Sequence, residues 1–467
     1  MTLSVQDAAR EGGQKLALIA GETALNWSEL ADAVLRDAAR LQAHGVATHG
    51  AWLSARPEIT TVVRLLALFE MGRPVGLLDP RLGEEAAAQV SRATPRFDRV
   101  DGVPFDGEHS ATPLPAVPDD ERALAIVRSS GSSGSPRGIV LSRRAFVASA
   151  RASATRLGWQ TDDRWLVCLP LAHISGLSIL TRCLMARRAI VLAPSADTDT
   201  IAEVITAQRV RLVSLVPAML ARLLDRESWK PPSWLRIVLL GGSGVSPSLL
   251  ERARMRRVPV LVTYGMSETC SQVATQIPGT PPGPEQGAGP ALPGVELHIR
   301  DGVIAIRTPS IASGVLTAEG TLTALPQVDA EGWLQTKDLG RLDKNGRLHI
   351  TGRADELLIS GGEKIDPTQV EHFLDRLSGV RESLVFGVSD ERWGQRVAAL
   401  IVADKEGSGL ETLARALREG LPSAQRPRLI ALVDALPRTY SGKLDRRAAQ
   451  ARSTQLKALP HLPEAPE

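Results

Sequence analysis

Apolar positions along this chain fall into two patterns that alternate from near the start. Residues 28–43, SELADAVLRDAARLQA, place apolar side chains three and four apart behind an acidic first turn and stop before Gly45. That spacing predicts a helix with Ser28 as its cap. Residues 59–71 repeat the pattern and stop at Gly72. Residues 235–264 give a fuller unit. LRIVLL is a continuous apolar run of strand length, GGSG turns sharply, Ser246-Pro247 starts a helix through Arg257, and VPVLVTYG is the next strand. Helices alternating with buried strands predict α/β architecture with mainly parallel sheets.

Two stretches break this order. Residues 278–294, PGTPPGPEQGAGPALPG, are too rich in Pro and Gly for regular structure and read as a long surface or active-site loop. Short strands separated by turns follow (VELHI, GVIAIRT, GRLHITGR), which predicts a small β-rich subdomain. After Arg353 a compact α+β pattern begins, with a strand, a helix at 367–377, strands at 382–388 and 396–403, and a helix at 410–419. The expected organisation is a large domain at 1–352, a junction at 353–355 and a small domain at 356–467. The final residues, ending in PHLPEAPE, read as a frayed terminus.

Composition removes several classes. At 467 residues the chain exceeds one ordinary core, in agreement with two domains. No apolar run approaches the roughly 18 residues of a membrane span, and the N-terminus lacks the basic-then-apolar layout of a signal peptide. Cys168, Cys183 and Cys270 are scattered, without a C-x-x-C pair. This argues against a disulfide framework or structural zinc and for a reducing cytoplasm. A net charge of +3 spread over dispersed Lys and Arg leaves no nucleic-acid footprint. A homodimer is compatible with the sequence.

Chemistry concentrates in a few segments. Ser129-Ser130-Gly131-Ser132-Ser133-Gly134 and Arg137 follow the apolar strand ALAIV. Glycines let backbone approach an anion, serines add hydroxyl donors and Arg137 adds charge, as a triphosphate requires. Alone, such a run also fits a flexible linker. The P-loop pattern fails because no Lys-Ser or Lys-Thr pair follows the glycines. Tyr264-Gly265-Met266-Ser267-Glu268, Asp338 and Lys443 are each ambiguous singly, since exposed carboxylates and lysines are common.

Together and in this order these segments resemble the adenylate-forming superfamily of acyl-CoA synthetases, luciferases and peptide-synthetase adenylation domains, over almost the whole chain. The resemblance implies a phosphate loop at 129–137, an adenine segment at Gly241, Gly242 and Ser243, and nucleotide contacts from Tyr264 through Ser267. It further implies Mg²⁺ at Glu268, ribose contacts from Asp338 and Arg353, a hinge at Asp355 and a catalytic lysine, Lys443, on a mobile small domain. The implied fold is a large multi-subdomain α/β unit, with parallel sheets and a small β-barrel, plus a smaller α+β domain. Two departures from the family pattern are conservative. Arg137 stands in place of lysine and keeps the charge, and Lys337 replaces glycine before an unchanged Asp338.

Within the superfamily, Leu169-Pro-Leu-Ala-His-Ile-Ser-Gly-Leu177, residues 213–224, YGMSETCSQ and Ser360-Gly-Gly-Glu-Lys-Ile-Asp-Pro367 look like the o-succinylbenzoate–CoA ligases of menaquinone synthesis. Other small aryl- or acyl-CoA ligases share parts of these motifs. A carrier-loading adenylation domain and a non-catalytic acyl-adenylate-binding protein are more distant alternatives. Retained Glu268, Asp338 and Lys443 argue against the last, and no carrier-like segment follows residue 450. The implied substrates are ATP, a small carboxylic acid and coenzyme A. A carboxylate resists attack by a thiol because its carbonyl is electron-rich and oxide leaves poorly, and transfer to the α-phosphate of ATP makes AMP the leaving group. The expected acid contacts are His173, Ser175 and Arg222, and the Ser360, Gly361 and Gly362 loop is expected on the coenzyme A side.

Overall fold

A computed structural model describes residues 2–46, 48–92, 94, 96–105, 109–118, 120–129, 137–317, 321–403, 410–439, 444–452 and 455–459. Two large sheets form the body before Arg353. In the first, six parallel strands run in the spatial order 260–266, 237–240, 212–215, 164–167, 189–192 and 16–20, and an antiparallel strand closes each edge, at 271–275 and 23–26. In the second, parallel strands 98–99, 51–54, 75–78 and 123–129 continue into antiparallel 137–142, 314–316 and 322–323. Trp27, Trp52 and Trp165 are fully buried among the helices and sheets. Strands buried on both faces explain the unbroken apolar runs, such as Ile237–Leu240, read above.

Local details refine the sequence expectations. The first long helix spans Trp27–Ala43 and is capped by Asn26 rather than Ser28. Asn26 accepts from the Glu29 amide (2.9 Å) while the Glu29 carboxylate accepts from the Asn26 amide (2.8 Å). This reciprocal capping box satisfies two orphan donors, which Ser28 inside the first turn cannot do. Ser246 and Pro247 do start the Pro247–Met255 helix, with Ser246 accepting from the Leu249 amide at 3.2 Å. The Pro/Gly-rich stretch holds one 3₁₀ turn, Pro284–Gln286, yet it buries Ala288 and Leu292. It is an inward-packed connection more than a surface loop. The β-rich segment is a four-stranded antiparallel sheet, 296–300, 303–307, 334–342 and 348–353, whose strand path has two ends. Among the described residues it is therefore an open sheet and not a closed barrel, as four strands are too few to wrap a core.

Beyond Arg353, strands 358–360, 363–365, 380–390, 394–403, 429–432 and 457–458 build a sheet with its own core around Val370, Val385, Ala399 and Leu417. The helices Pro367–Leu374 and Leu410–Gly420 belong to the same unit.

Candidate active site

Several of the singled-out residues gather at the carboxyl ends of the parallel strands, where open α/β sheets bind ligands. Gly241 follows strand Ile237–Leu240 and donates to the Leu215 carbonyl at 3.2 Å. A side chain there would press on Thr263 of the next strand, at 2.8 Å from its methyl group. Gly242 adopts φ +87°, and Ser243 beside it is half-buried. Strand Val260–Met266 ends in the single 3₁₀ turn Ser267–Thr269, so Glu268 projects from a tight corner. Thr269 braces the corner by accepting from the Met266 amide at 3.3 Å, and the Glu268 carbonyl accepts from the Ala312 amide at 2.8 Å. Gly265 is required sterically, because a Cβ would lie 1.9 Å from the Ser271 carbonyl oxygen.

Tyr264 and Asp338 meet across this edge. The Tyr264 hydroxyl donates to Asp338 Oδ2 at 2.6 Å, and Arg353 Nη1 donates to Asp338 Oδ1 at 2.7 Å. Burial, reinforced by the Asp338 charge, pushes the Tyr264 phenol well above its ordinary range, so it remains a donor. Arg353 also holds Asp355 with two bonds, of 3.0 and 3.2 Å, and Lys337 reaches the same carboxylate at 3.2 Å. The next residue, Glu356, is gripped from the other side by Arg446 at 2.8 Å, and Arg446 is anchored in the small unit by Glu371 and the Val385 carbonyl. Neighbouring carboxylates are thus held mainly by opposite units.

His173 begins the Ile174–Ala186 helix at its N-cap. Its Nε2 lies 3.8 Å from Asp79 Oδ2, at the end of a strand of the second sheet. Burial raises the Asp79 pKa, but Arg81 hydrogen bonds and charge outweigh it and hold the carboxyl below its usual value. Gly176 packs against the Pro170 carbonyl, only 2.4 Å from where a Cβ would be. Ser175 is half-buried in the first turn.

The sequence reading missed Arg182. It lies seven residues beyond Ser175, so Ser175, Ser178 and Arg182 share one helix face. Arg182 is 3% exposed, donates to Ser271 Oγ at 3.1 Å and lies over the Trp165 ring at 5.5 Å. Among the described residues it has no carboxylate partner, and burial lowers its pKa to about 10. The i, i+3, i+7 spacing from Ser175 was the available signal. Arg222, the expected acid-site cation, is exposed on the Pro217–Asp225 helix, whose buried side is Leu220, Leu223 and Leu224.

Gly361 and Gly362 adopt φ +58° and +86° between strands 358–360 and 363–365. Two consecutive positive φ values make a two-residue hairpin turn, which is why both positions are glycine. Ser360 in this turn is half-buried. Strand 123–129 pairs with the strand that begins at Arg137, and Arg137 is exposed. Ser130, Gly131, Ser132, Ser133, Gly134 and Lys443, with the Ser129 side chain, lie outside the described residues. No group of three or more His, Cys, Asp or Glu suited to a metal occurs among the described residues. Glu268 alone fits Mg²⁺ of the kind that keeps water and substrate phosphates as its other ligands.

The chain matches the AMP-binding enzyme family over residues 93–316 and the AMP-binding enzyme C-terminal domain over residues 369–443. It is 31% identical to the 2-succinylbenzoate–CoA ligase of Listeria monocytogenes serotype 4b, covering 97% of this chain and 99% of that protein. Against the same-named enzyme of Bacillus pumilus it is 32% identical, covering 94% and 95%. The solved o-succinylbenzoate CoA synthetase (MenE) of Bacillus subtilis, in complex with its acyl-adenylate intermediate, superimposes with a TM-score of 0.84 at 29% identity, covering 96% of this chain and 98% of that one. The same enzyme in complex with ATP and magnesium gives 0.82 at 29% identity over 95% and 98%. With full-length similarity above 30% and both family segments in place, the chain belongs to the AMP-binding enzyme family, among its 2-succinylbenzoate–CoA ligases.

Proposed function

We propose that the protein activates 2-succinylbenzoate with ATP to the acyl-adenylate and transfers the acyl group to coenzyme A. The observation that carries the choice of acid is Arg182. This acid has two carboxylates, of which the aliphatic one is activated. The aromatic one stays charged, and burying it without a partner costs several kcal/mol. Arg182 is a buried cation without a carboxylate partner among the described residues, on the face that carries Ser175 and beside the turn that carries Glu268. Its guanidinium matches a carboxylate in charge and shape.

In this reading Asp338 accepts from the ribose hydroxyls while Tyr264 and Arg353 fix its orientation. Gly241, Gly242 and Ser243 border the adenine. The 129–137 segment holds the outer phosphates, and Mg²⁺ at Glu268 supplies neutralising charge. Lys443 bridges the substrate carboxylate and the α-phosphate, offsetting the repulsion between two anions. No general base is needed, because the attacking carboxylate is already ionised. For the second half-reaction the small unit turns about Asp355, withdrawing Lys443 and presenting the Ser360–Gly362 turn to the thiol. The three cysteines are free and buried, which supports a cytoplasmic setting.

The test is ATP-dependent thioester formation with a panel of acids, each with and without coenzyme A. 2-Succinylbenzoate is expected to be preferred, and its analogue without the aromatic carboxylate to be poor. Arg182→Ala should raise the KM for 2-succinylbenzoate roughly ten- to a hundredfold, the loss of one or two charge-assisted hydrogen bonds. The KM for ATP should change little, and Arg222→Ala should leave both near their starting values. Preference for the monocarboxylate, or for a fatty acid, would overturn the choice of substrate while leaving the adenylation reading intact.

A further inference from the structure

Asp366 lies near the end of the Ser360–Pro367 motif, and the adenylation chemistry uses none of its atoms. It caps the Pro367–Leu374 helix, with Oδ1 accepting from the Thr368 amide at 2.9 Å. The other oxygen, Oδ2, is buried and has no hydrogen-bond partner among the described residues. What covers it belongs to the large unit. A Cβ on Gly352 would lie 2.2 Å from Asp366 Oδ2, and the three nearest atoms it would meet are all of this carboxylate. The Pro367–Leu374 helix packs on strand Leu348–Arg353 here, so the carboxylate rests on bare backbone across the junction at 353–355. Charged side chains reach it from two sides, Glu356 from the junction and Arg446 from the short helix Arg446–Gln450. Arg446 is shared with Glu356 and Glu371, and Arg353 of the covering strand is turned to Asp338 and Asp355. A carboxylate oxygen kept dry and unbonded disfavours the charged form. Burial accordingly raises the Asp366 pKa and Glu356 adds to it, while the Thr368 bonds and the Arg446 charge oppose without cancelling the rise.

We infer that Asp366 is a positioning residue whose carboxylate, seated against Gly352, holds the small unit in the orientation seen here when protonated and releases it when ionised. This rests on the proposed function, in which the small unit turns about Asp355 between the two half-reactions. The turn carries Asp366 away from Gly352, which stays with the large unit, and opens Oδ2 to water. A proton is therefore bound more tightly before the turn than after it. Below the ordinary carboxylate value of 3.8 the present orientation bears no charge penalty. The penalty grows as pH rises from there and is complete above the raised value. At neutral pH the enzyme thus bears a built-in cost for staying in this orientation. The orientation is the one that superimposes, over almost the whole chain, on the acyl-adenylate complex, so it is the one to be left before the thiol attacks. Asp366 favours that departure.

Fluorescent labels at Met255→Cys and Leu432→Cys, one exposed position in each unit, read the distance between the units without any chemistry, and the three native cysteines are buried. From about pH 4.5 to about pH 8 the ratio of this orientation to all others should fall roughly threefold or more, since each half unit of pKa difference is worth about threefold. Asp366→Asn keeps the helix cap and cannot ionise, so its ratio should stay at the low-pH value throughout. Gly352 does not hold a positive φ, so alanine there meets Asp366 without backbone strain. Gly352→Ala should empty the present orientation at either pH, and Asp366→Ser, a shorter cap, should refill it in the same chain. In the unlabelled enzyme at about pH 8, Asp366→Asn should slow acyl transfer from supplied acyl-adenylate to coenzyme A roughly threefold or more. It should leave ATP–pyrophosphate exchange no slower. An identical pH response of the label distance in the unaltered and Asp366→Asn chains would overturn the assignment, as would unchanged acyl transfer in that variant. Loss of acid-dependent exchange in the unaltered enzyme would refute the proposed function instead, and the label distances would still decide the role of Asp366.

Discussion

Asp375 shows how much one buried carboxylate sets in this fold. It is 9% exposed and accepts from the Ser383 hydroxyl at 2.7 Å. Burial, only partly offset by that bond and reinforced by Glu371 and Glu382, pushes its pKa up to about 7. A carboxyl with a folded pKa above its unfolded value near 3.8 binds a proton more tightly when folded. Its stabilising effect is therefore full below about pH 4 and is lost as pH rises toward 7. Asp375→Asn keeps an oxygen acceptor for Ser383 and cannot ionise. Between pH 5 and 8 the unaltered protein should lose roughly 2–3 kcal/mol of unfolding free energy relative to this variant. Urea unfolding at the two pH values measures it, and parallel pH slopes would refute a protonated Asp375. Lys443 gives the residue-scale prediction for catalysis. Lys443→Ala should abolish adenylation, a transition-state loss of about 3 kcal/mol or more, yet leave thioester formation from supplied acyl-adenylate largely intact. Equal loss in both half-reactions would show a structural role. Among the single residues, Glu268, Tyr264 and Asp338 were named from motif and spacing, and the structure brings Tyr264 and Asp338 into contact. Arg182 was not, because an arginine in a helical run announces neither burial nor a missing partner until the helix is packed against Trp165 and Ser271.

Elements were more legible than their ends or their partners. The Ile237–Leu240 strand and the Pro247–Met255 helix lie where the apolar run and the Ser-Pro start put them. The Trp27–Ala43 helix begins earlier than its apolar face suggests, because the Asn26–Glu29 box, and not hydrophobic spacing, decides the first turn. The burial of Ala288 and Leu292 was hidden for a related reason. Composition reports that a stretch lacks regular structure but not whether it is folded inward. A junction at 353–355 was read from the sequence, whereas the side chains that grip these residues were not. Arg353 and Lys337 hold Asp355 while Arg446 holds Glu356. Asp355→Pro removes the first grip and fixes φ at the proposed hinge. It should spare ATP–pyrophosphate exchange and block acyl transfer to coenzyme A. Full transfer activity in that variant would sink the hinge assignment.

At the scale of the whole molecule, strand order was beyond the sequence. Nothing local in residues 16–20 announces that they pair with 189–192, more than 160 positions away. Separately, the packing of the two sheets sets His173 Nε2 3.8 Å from Asp79 Oδ2, each residue following an interior strand of a different sheet. The same long-range folding gives the proposed acid side and the proposed nucleotide side a shared support. Arg182 and Ser178 both reach Ser271 Oγ, and the Ser271 carbonyl is the atom against which Gly265 is packed. Cys270 and Ser271, which follow the Glu268 turn, hold φ at +52° and +91°, an uncommon region for residues with side chains. On the proposed roles, an anion at Arg182 and a metal-bound triphosphate at Glu268 would pull on one short piece of backbone. Thermodynamic reciprocity then governs the pair. Whatever factor one ligand imposes on the affinity of the other is returned in equal measure, so the enzyme responds to the two concentrations jointly and not to each alone.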